Sequence, residues 1–239
     1  MRDERLHSIV LDRLNLEKKK PLRLSRWNNF LKNLHSTSNI LKVAIVGKYV
    51  ELHDAYKSIS ESLIHAGANL NSKVEIKWVL SESINSSNIR AKLKNTDGVI
   101  VAPGFGKRGI EGKIASIKFV RENNIPFFGI CLGMQCACIE FTRNKLGIQD
   151  ANSTEFNEKT STPVIDLMEK QKMVKNKGGT MRLGSYQCEL SEKSIAKEAY
   201  KDKLIKERHR HRYEFNNDFK KIFIDNGMKP TGINKKLNL

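Results

Sequence analysis

Cys131 stands between two glycines in Gly129-Ile130-Cys131-Leu132-Gly133. The run around it, "FFGICLGMQCACIEF" (127–141), passes from apolar, strand-like residues into a helical pattern. Small residues on either side of a nucleophile let the backbone turn sharply from strand to helix and push one side chain out. The spacing therefore offers a thiol on an elbow, and the unpaired N–H groups at the start of the following helix favour thiolate, the reactive form. The other reading of G-x-C-x-G is a small buried cysteine at a tight corner. That reading is the one taken for Cys136 and Cys138 on the next helix. A second glycine-rich piece, "APGFGKRGIEGK" (102–113), places Gly104 where a backbone N–H could reach the crevice at the carboxyl ends of parallel strands. With the N–H of Leu132 it would form an oxyanion hole for an acyl carbon. The same piece is not a phosphate loop, because Gly112-Lys113 is followed by Ile114.

These residues need a scaffold, and the chain alternates strand and helix signals from residue 41 onward. "LKVAIVGKY" reads as a strand. "DAYKSISESLIHAG" reads as a helix, with Ala55, Ile59, Leu63 and Ala66 at helical spacing, Asp54 as its cap and Gly67 as its stop. "VEIKWVL", "DGVIVAPG" and "IPFFGI" read as further strands, and "EGKIASIKFVRENN" as a helix between the last two. This order predicts an α/β fold: a Rossmann-like, mixed but mostly parallel sheet with helices on both faces. Beyond residue 142 the pattern loosens. "DANSTEFNEKTSTPVIDLM" carries turn formers and a proline, "KGGTMRLGSYQCEL" reads as a glycine-opened strand segment, and "EKSIAKEAY" as a short helix. Residues 1–40 are polar and basic, with one amphipathic pattern (Leu6, Ile9, Val10, Leu11, Leu14, Leu16). They read as an interdomain linker or docking segment ahead of a domain at 41–239.

Composition narrows the class. The chain has 239 residues, enough for a substantial core without disulfides, and its four cysteines show no paired C-x-x-C metal spacing, so no metal site is expected. No apolar run of membrane-span or signal-peptide length is present, which points to a cytoplasmic protein with no membrane partner. A formal charge of +17 would suit a polyanion, but the lysines are dispersed and accompanied by asparagines. Nucleic acid is therefore not the expected partner, and a recognition motif for it is missing.

In order along the chain, "VGKYVELHDAYKSI", "GFGKRGIEGK", "RENNIPFFGICLGMQ", "DANSTEF", "GGTMRLG" and "ERHRHRYEFNN" carry a resemblance. Residues 41 to about 225 resemble the glutaminase domain of the CTP synthase family, a class I, triad-type glutamine amidotransferase. Residues 8–30 resemble the segment that joins that family's synthetase and glutaminase domains. The resemblance implies that Cys131 attacks the side-chain amide of L-glutamine, releasing ammonia and leaving a glutamyl thioester for water to cleave. Gly104 and the Leu132, Gly133, Met134, Gln135 segment would hold the substrate at the elbow. Glu155 would take its amino group and Arg212 would help fix its amino-acid end.

In the family, ammonia passes to a synthetase domain that aminates UTP to CTP with ATP and magnesium, in a homo-oligomeric enzyme. The resemblance places those ligands on that domain, in cis or in trans, and no cofactor on these residues. It also implies a His-Pro-Glu motif that supplies the general base, at a position beyond Leu239. No histidine follows His211; His209 and His211 lie in the Arg-rich motif, where the resemblance implies substrate-side roles, and His7, His35, His53 and His65 fall before or at the first helix, so none matches the base by position. The expectation is thus a nucleophile without its base in this chain, slowed by several orders of magnitude. The rivals are a non-catalytic interaction or regulatory subunit, a basic nucleic-acid-binding protein using "RHRHR" and the lysines, and an inactive gene fragment.

Overall fold

The computed structural model describes residues 4–17, 23–167 and 182–239. The chain divides into two compact units, residues 1–40 with 61–74, and residues 41–60 with 75–239.

The first unit contains helices α1 (Leu6–Arg13) and α2 (Ser25–Ser36). Helix α2 was not expected. It is closed by its own last residues, since the Ser36 and Thr37 hydroxyls donate back to the carbonyls of Lys32 and Asn33 at 2.8 and 2.6 Å. Trp27 and Phe30 stack on α2, and the Phe30 ring meets His65 edge-on, both at 5.4 Å between centroids.

Strand β1 (Asn39–Gly47) is followed by a 3₁₀ turn, His53–Tyr56, and helix α3 (Lys57–Asn69). Asp54 lies inside that turn rather than at a helix cap. Gly67 does not stop α3, which runs on to Asn69. A Cβ on Gly67 would lie 2.4 Å from the carbonyl oxygen of Ser72, so glycine is required where the returning chain crosses closely.

Strand β2 (Ser72–Leu80), the short helix α4 (Ile89–Leu93), β3 (Gly98–Val101), α5 (Ile110–Glu122), β4 (Phe127–Gly129) and α6 (Leu132–Glu140) come next. They build a four-stranded sheet in the order β2-β1-β3-β4, with β1/β3 and β3/β4 parallel. Ala44, Ile45 and Val46 of β1 are wholly buried, and so is Val101 of β3. Such continuous apolar runs suit strands covered on both faces. Each fully buried valine or isoleucine contributes about 1.5–3 kcal/mol of transfer free energy.

Helix α6 is buried along nearly its whole length. Its one charged residue, Glu140, receives two hydrogen bonds from Nε of Arg121, at 3.1 and 3.2 Å, and one from Nη2 at 2.8 Å. This fork ties α5 to the helix that follows the elbow.

The remaining elements are β5 (Ala151–Ser153), β6 (Thr162–Leu167), β7 (Arg182–Leu190), α7 (Ile195–Tyr200), β8 (Leu204–His211), β9 (Tyr213–Phe215), α8 (Lys220–Asp225) and β10 (Gly232–Ile233). Two small sheets result, β10-β7-β8 and β5-β6-β9. The expected segment 177–190 forms β7 from Arg182 onward, its first residues lying outside the described ones. Pro163 sits in the central strand β6 and cannot donate to the ladder; the register shifts at Asn152/Ser153, beside its partner position.

Candidate active site

Three strand ends converge on one crevice. Strand β1 runs into Lys48, β3 into the 102–109 loop, and β4 into Cys131, which is the position the α/β topology gives a ligand site.

The elbow is sterically enforced. Cys131 has φ 54° and ψ −107°, a strained conformation for a residue with a side chain. A Cβ on Gly133 would lie 2.1 Å from the Val101 carbonyl oxygen, and one on Gly129 would lie 2.6 Å from the carbonyl carbon of Gly133. Only glycines allow α6 to start this close to β3 and β4. The turn is closed by hydrogen bonds from the Gly133 N–H to the Ile130 carbonyl at 2.9 Å and from the Gln135 N–H to the Cys131 carbonyl at 3.1 Å.

A cavity of about 240 Å³ opens over the thiol, lined by Gly104, Phe105, Cys131, Gln135, Glu155, Arg210, His211, Arg212 and Tyr213. Five of the eight residues expected from sequence therefore share one pocket: Cys131, Gly104, Gln135, Glu155 and Arg212. The other three do not line it. Leu132 is buried. Gly133 is packed against β3, and Met134 places its sulfur 3.7 Å from that of Cys138.

Separate elements aim the charged groups. Glu155 sits in the turn after β5, where buried Phe156 anchors the chain and the Phe156 N–H bonds to the Ser153 carbonyl at 3.0 Å. Its Oε1 accepts the Gly106 N–H at 2.7 Å. Arg212 occupies the bend between β8 and β9, where the chain leaves one small sheet for the other. Its Nε is buried with no hydrogen-bond partner among the described residues, an orphan donor suited to an anion or a carbonyl oxygen. Gln135 donates to the Tyr213 carbonyl at 2.9 Å and so joins α6 to β9. The guanidinium of Arg210 lies 5.6 Å over the Phe105 ring.

The expected thiolate does not emerge. Burial pushes the Cys131 thiol above its ordinary value, and the nearby Glu155 and Glu214 carboxylates push the same way. The Leu132 N–H and the Lys113 ammonium pull it down but do not prevail. Cys136 and Cys138, as expected, are buried core thiols, both pushed up to about 12 by desolvation.

Sequence reasoning missed Phe105, Arg210 and Tyr213, each a neighbour of a named residue. It also missed two buried lysines. Lys48 donates to the carbonyls of Phe105, at 2.6 Å, and Gly106, while Lys113 donates to that of Ala102 at 2.5 Å.

The profile of the family described as glutamine amidotransferase class-I matches residues 51–238. The chain belongs to the class-I glutamine amidotransferase family. A solved structure of the Trypanosoma brucei CTPS glutaminase domain with bound acivicin superposes with a TM-score of 0.75 at 36% identity, covering 82% of this chain and 75% of that one. The CTP synthases of Cytophaga hutchinsonii and Flavobacterium johnsoniae are 56% and 52% identical over the whole chain. The chain spans 44% of the length of each. Membership matches the fold that the strand and helix order implied, a sheet with a thiol elbow at its carboxyl edge.

Proposed function

We propose that this chain is the glutamine-hydrolysing part of a CTP synthase, and that Cys131 is its nucleophile. The observation that carries the reading is the convergence of Cys131, Gly104, Glu155 and Arg212 on one cavity from four separate segments. In this reading Cys131 Sγ adds to the γ-carbonyl carbon of glutamine, and the developing oxyanion is met by the N–H groups of Leu132 and Gly104. Collapse expels ammonia and leaves a γ-glutamyl thioester, which water cleaves to glutamate. Glu155 receives the substrate ammonium, and Arg212 receives its carboxylate through the orphan Nε.

The thiol held above its ordinary value means that the nucleophile needs a base to take its proton in the attack. Ammonia would pass to a synthetase unit that holds UTP, ATP and magnesium, with residues 1–40 as the linking or docking segment. The test supplies that unit, in cis or in trans, with [amide-15N]glutamine, UTP, ATP and magnesium. Transfer of 15N into CTP that disappears in Cys131→Ala, while CTP formation from free ammonium persists, supports the reading. A chain that transfers no 15N, or a variant that still does, overturns it.

A further inference from the structure

Two lysines buried beneath the cavity have no place in the chemistry above. Lys48, just past β1, is 3% exposed, and Lys113, in the first turn of α5, is 0% exposed. Neither is paired with a carboxylate among the described residues. Their hydrogen-bond acceptors are instead backbone carbonyls of one short segment: Ala102 for Lys113, Phe105 and Gly106 for Lys48. Glu155 holds the same segment by the Gly106 N–H. The segment is 102–106, which carries Gly104. Gly104 has no side chain with which to anchor itself, and its Cα is flanked by the Lys48 stem and Leu132: a Cβ built there would lie 3.5 Å from Lys48 Cδ and 3.4 Å from Leu132 Cδ2.

Placing an ammonium in the interior against neutral carbonyls is unfavourable, and burial pulls both lysines below their ordinary values, Lys113 to about 8. An apolar side chain of similar length would occupy the same space without that penalty. What the apolar chain could not do is grip the carbonyls at both ends of the segment.

We propose that Lys48 and Lys113 are positioning residues that clamp segment 102–106 by its carbonyls and so fix the Gly104 N–H relative to Cys131. The role rests on the glutamine-hydrolysing reading, in which that N–H meets the oxyanion.

The experiment uses the full chain with Lys48→Met and Lys113→Met and takes two readouts. The first is amide hydrogen exchange across 102–106, which requires no glutamine chemistry. The second compares two reagents at Cys131: the γ-chloromethyl ketone analogue of glutamine, and iodoacetamide. Each forms an S–CH2 bond and expels halide, but only the ketone passes through an oxyanion-bearing adduct. Exchange in 102–106 should quicken about tenfold, and the ketone-to-iodoacetamide rate ratio should fall at least about tenfold, a fraction of the loss on deleting an oxyanion donor outright. The thermal midpoint should hold or rise.

Unchanged exchange, or quickened exchange with an unchanged ratio, overturns the positioning role while leaving the glutaminase reading intact. A parent chain that the ketone does not label, with exchange quickened in both variants, overturns the glutaminase reading and leaves the clamp standing. Should Lys113→Met not fold, Lys48→Met carries the same expectation from the other end of the segment. If neither folds, both lysines are determinants of folding and the role is overturned.

Discussion

The Glu155 carboxylate accepts the Gly106 N–H at 2.7 Å, so the residue assigned to the substrate's ammonium also braces the loop that holds Gly104. The two duties separate by mutation. Glu155→Gln keeps an oxygen for the Gly106 N–H and loses only the charge, whereas Glu155→Ala loses both. Binding of L-glutamine, measured by calorimetry, should weaken about tenfold or more in each, while ketone capture at saturation should fall further in Glu155→Ala. Equal capture in the two variants would show that the Gly106 contact is idle.

Selectivity among the four thiols follows from burial. Cys136 and Cys138 are enclosed and held near about 12, so they stay protonated and unreactive. Cys188 is partly exposed and is the competitor. Because burial raises the Cys131 thiol above its ordinary value, its alkylation by iodoacetamide should climb with pH and reach half-maximum above the midpoint of a free cysteine thiol. A midpoint below it, read from a rate profile with peptide mapping, would mean that the helix start outweighs burial after all.

Arg121 and Glu140 give a stability prediction. Glu140 is 1% exposed on α6, and Arg121→Met would leave its carboxylate without the fork that compensates it. The folded chain should lose about 3 kcal/mol by urea denaturation at neutral pH, the lower end for a buried pair because the Arg121 head reaches solvent. Arg121→Lys should restore only part of this, since one ammonium cannot reproduce the fork. A neutral effect of Arg121→Met would mean that the fork does not compensate the buried carboxylate.

Lys113 sets a pH dependence in the alkaline range. Burial lowers it from 10.5 to about 8. Between those values the unfolded chain keeps a proton that the folded chain has released, so stability contributed through this group rises with pH, by at most about 1.4 kcal/mol per unit. Below about pH 8 both states hold the proton and the contribution is flat at its least favourable. Lys113→Met should remove the rise, which urea midpoints at about pH 8 and about pH 10 would show. An unchanged slope in the variant would place the buried proton elsewhere.

How far the sequence carried depended on where each element finds its partners. β1, β3 and β4 were legible because each is a short apolar run bounded by glycine, proline or aspartate. β8 was not: "ERHRHR" alternates charges like a solvated face, and its strand geometry comes from pairing with β7, Arg182 to His211 through Glu189 to Leu204. Helix α2 had a signal that went unread, Trp27, Phe30, Leu31 and Leu34 at helical spacing.

The elbow was legible because glycines flank the nucleophile. Lys48 and Lys113 were not, because a lysine is by default a surface residue and its burial is decided by tertiary packing. A cue existed for Lys113, which lies in the row Ile110, Lys113, Ile114, Ile117 on the buried face of α5.

The most direct measurement for the account as a whole is peptide mapping of the chain after reaction with the γ-chloromethyl ketone of glutamine, with and without excess L-glutamine. The account predicts one adduct, on Cys131, suppressed by L-glutamine and absent from Cys131→Ala. Adducts on Cys188, or an adduct on Cys131 that L-glutamine does not suppress, would contradict the assignment of Cys131 as a nucleophile built for glutamine.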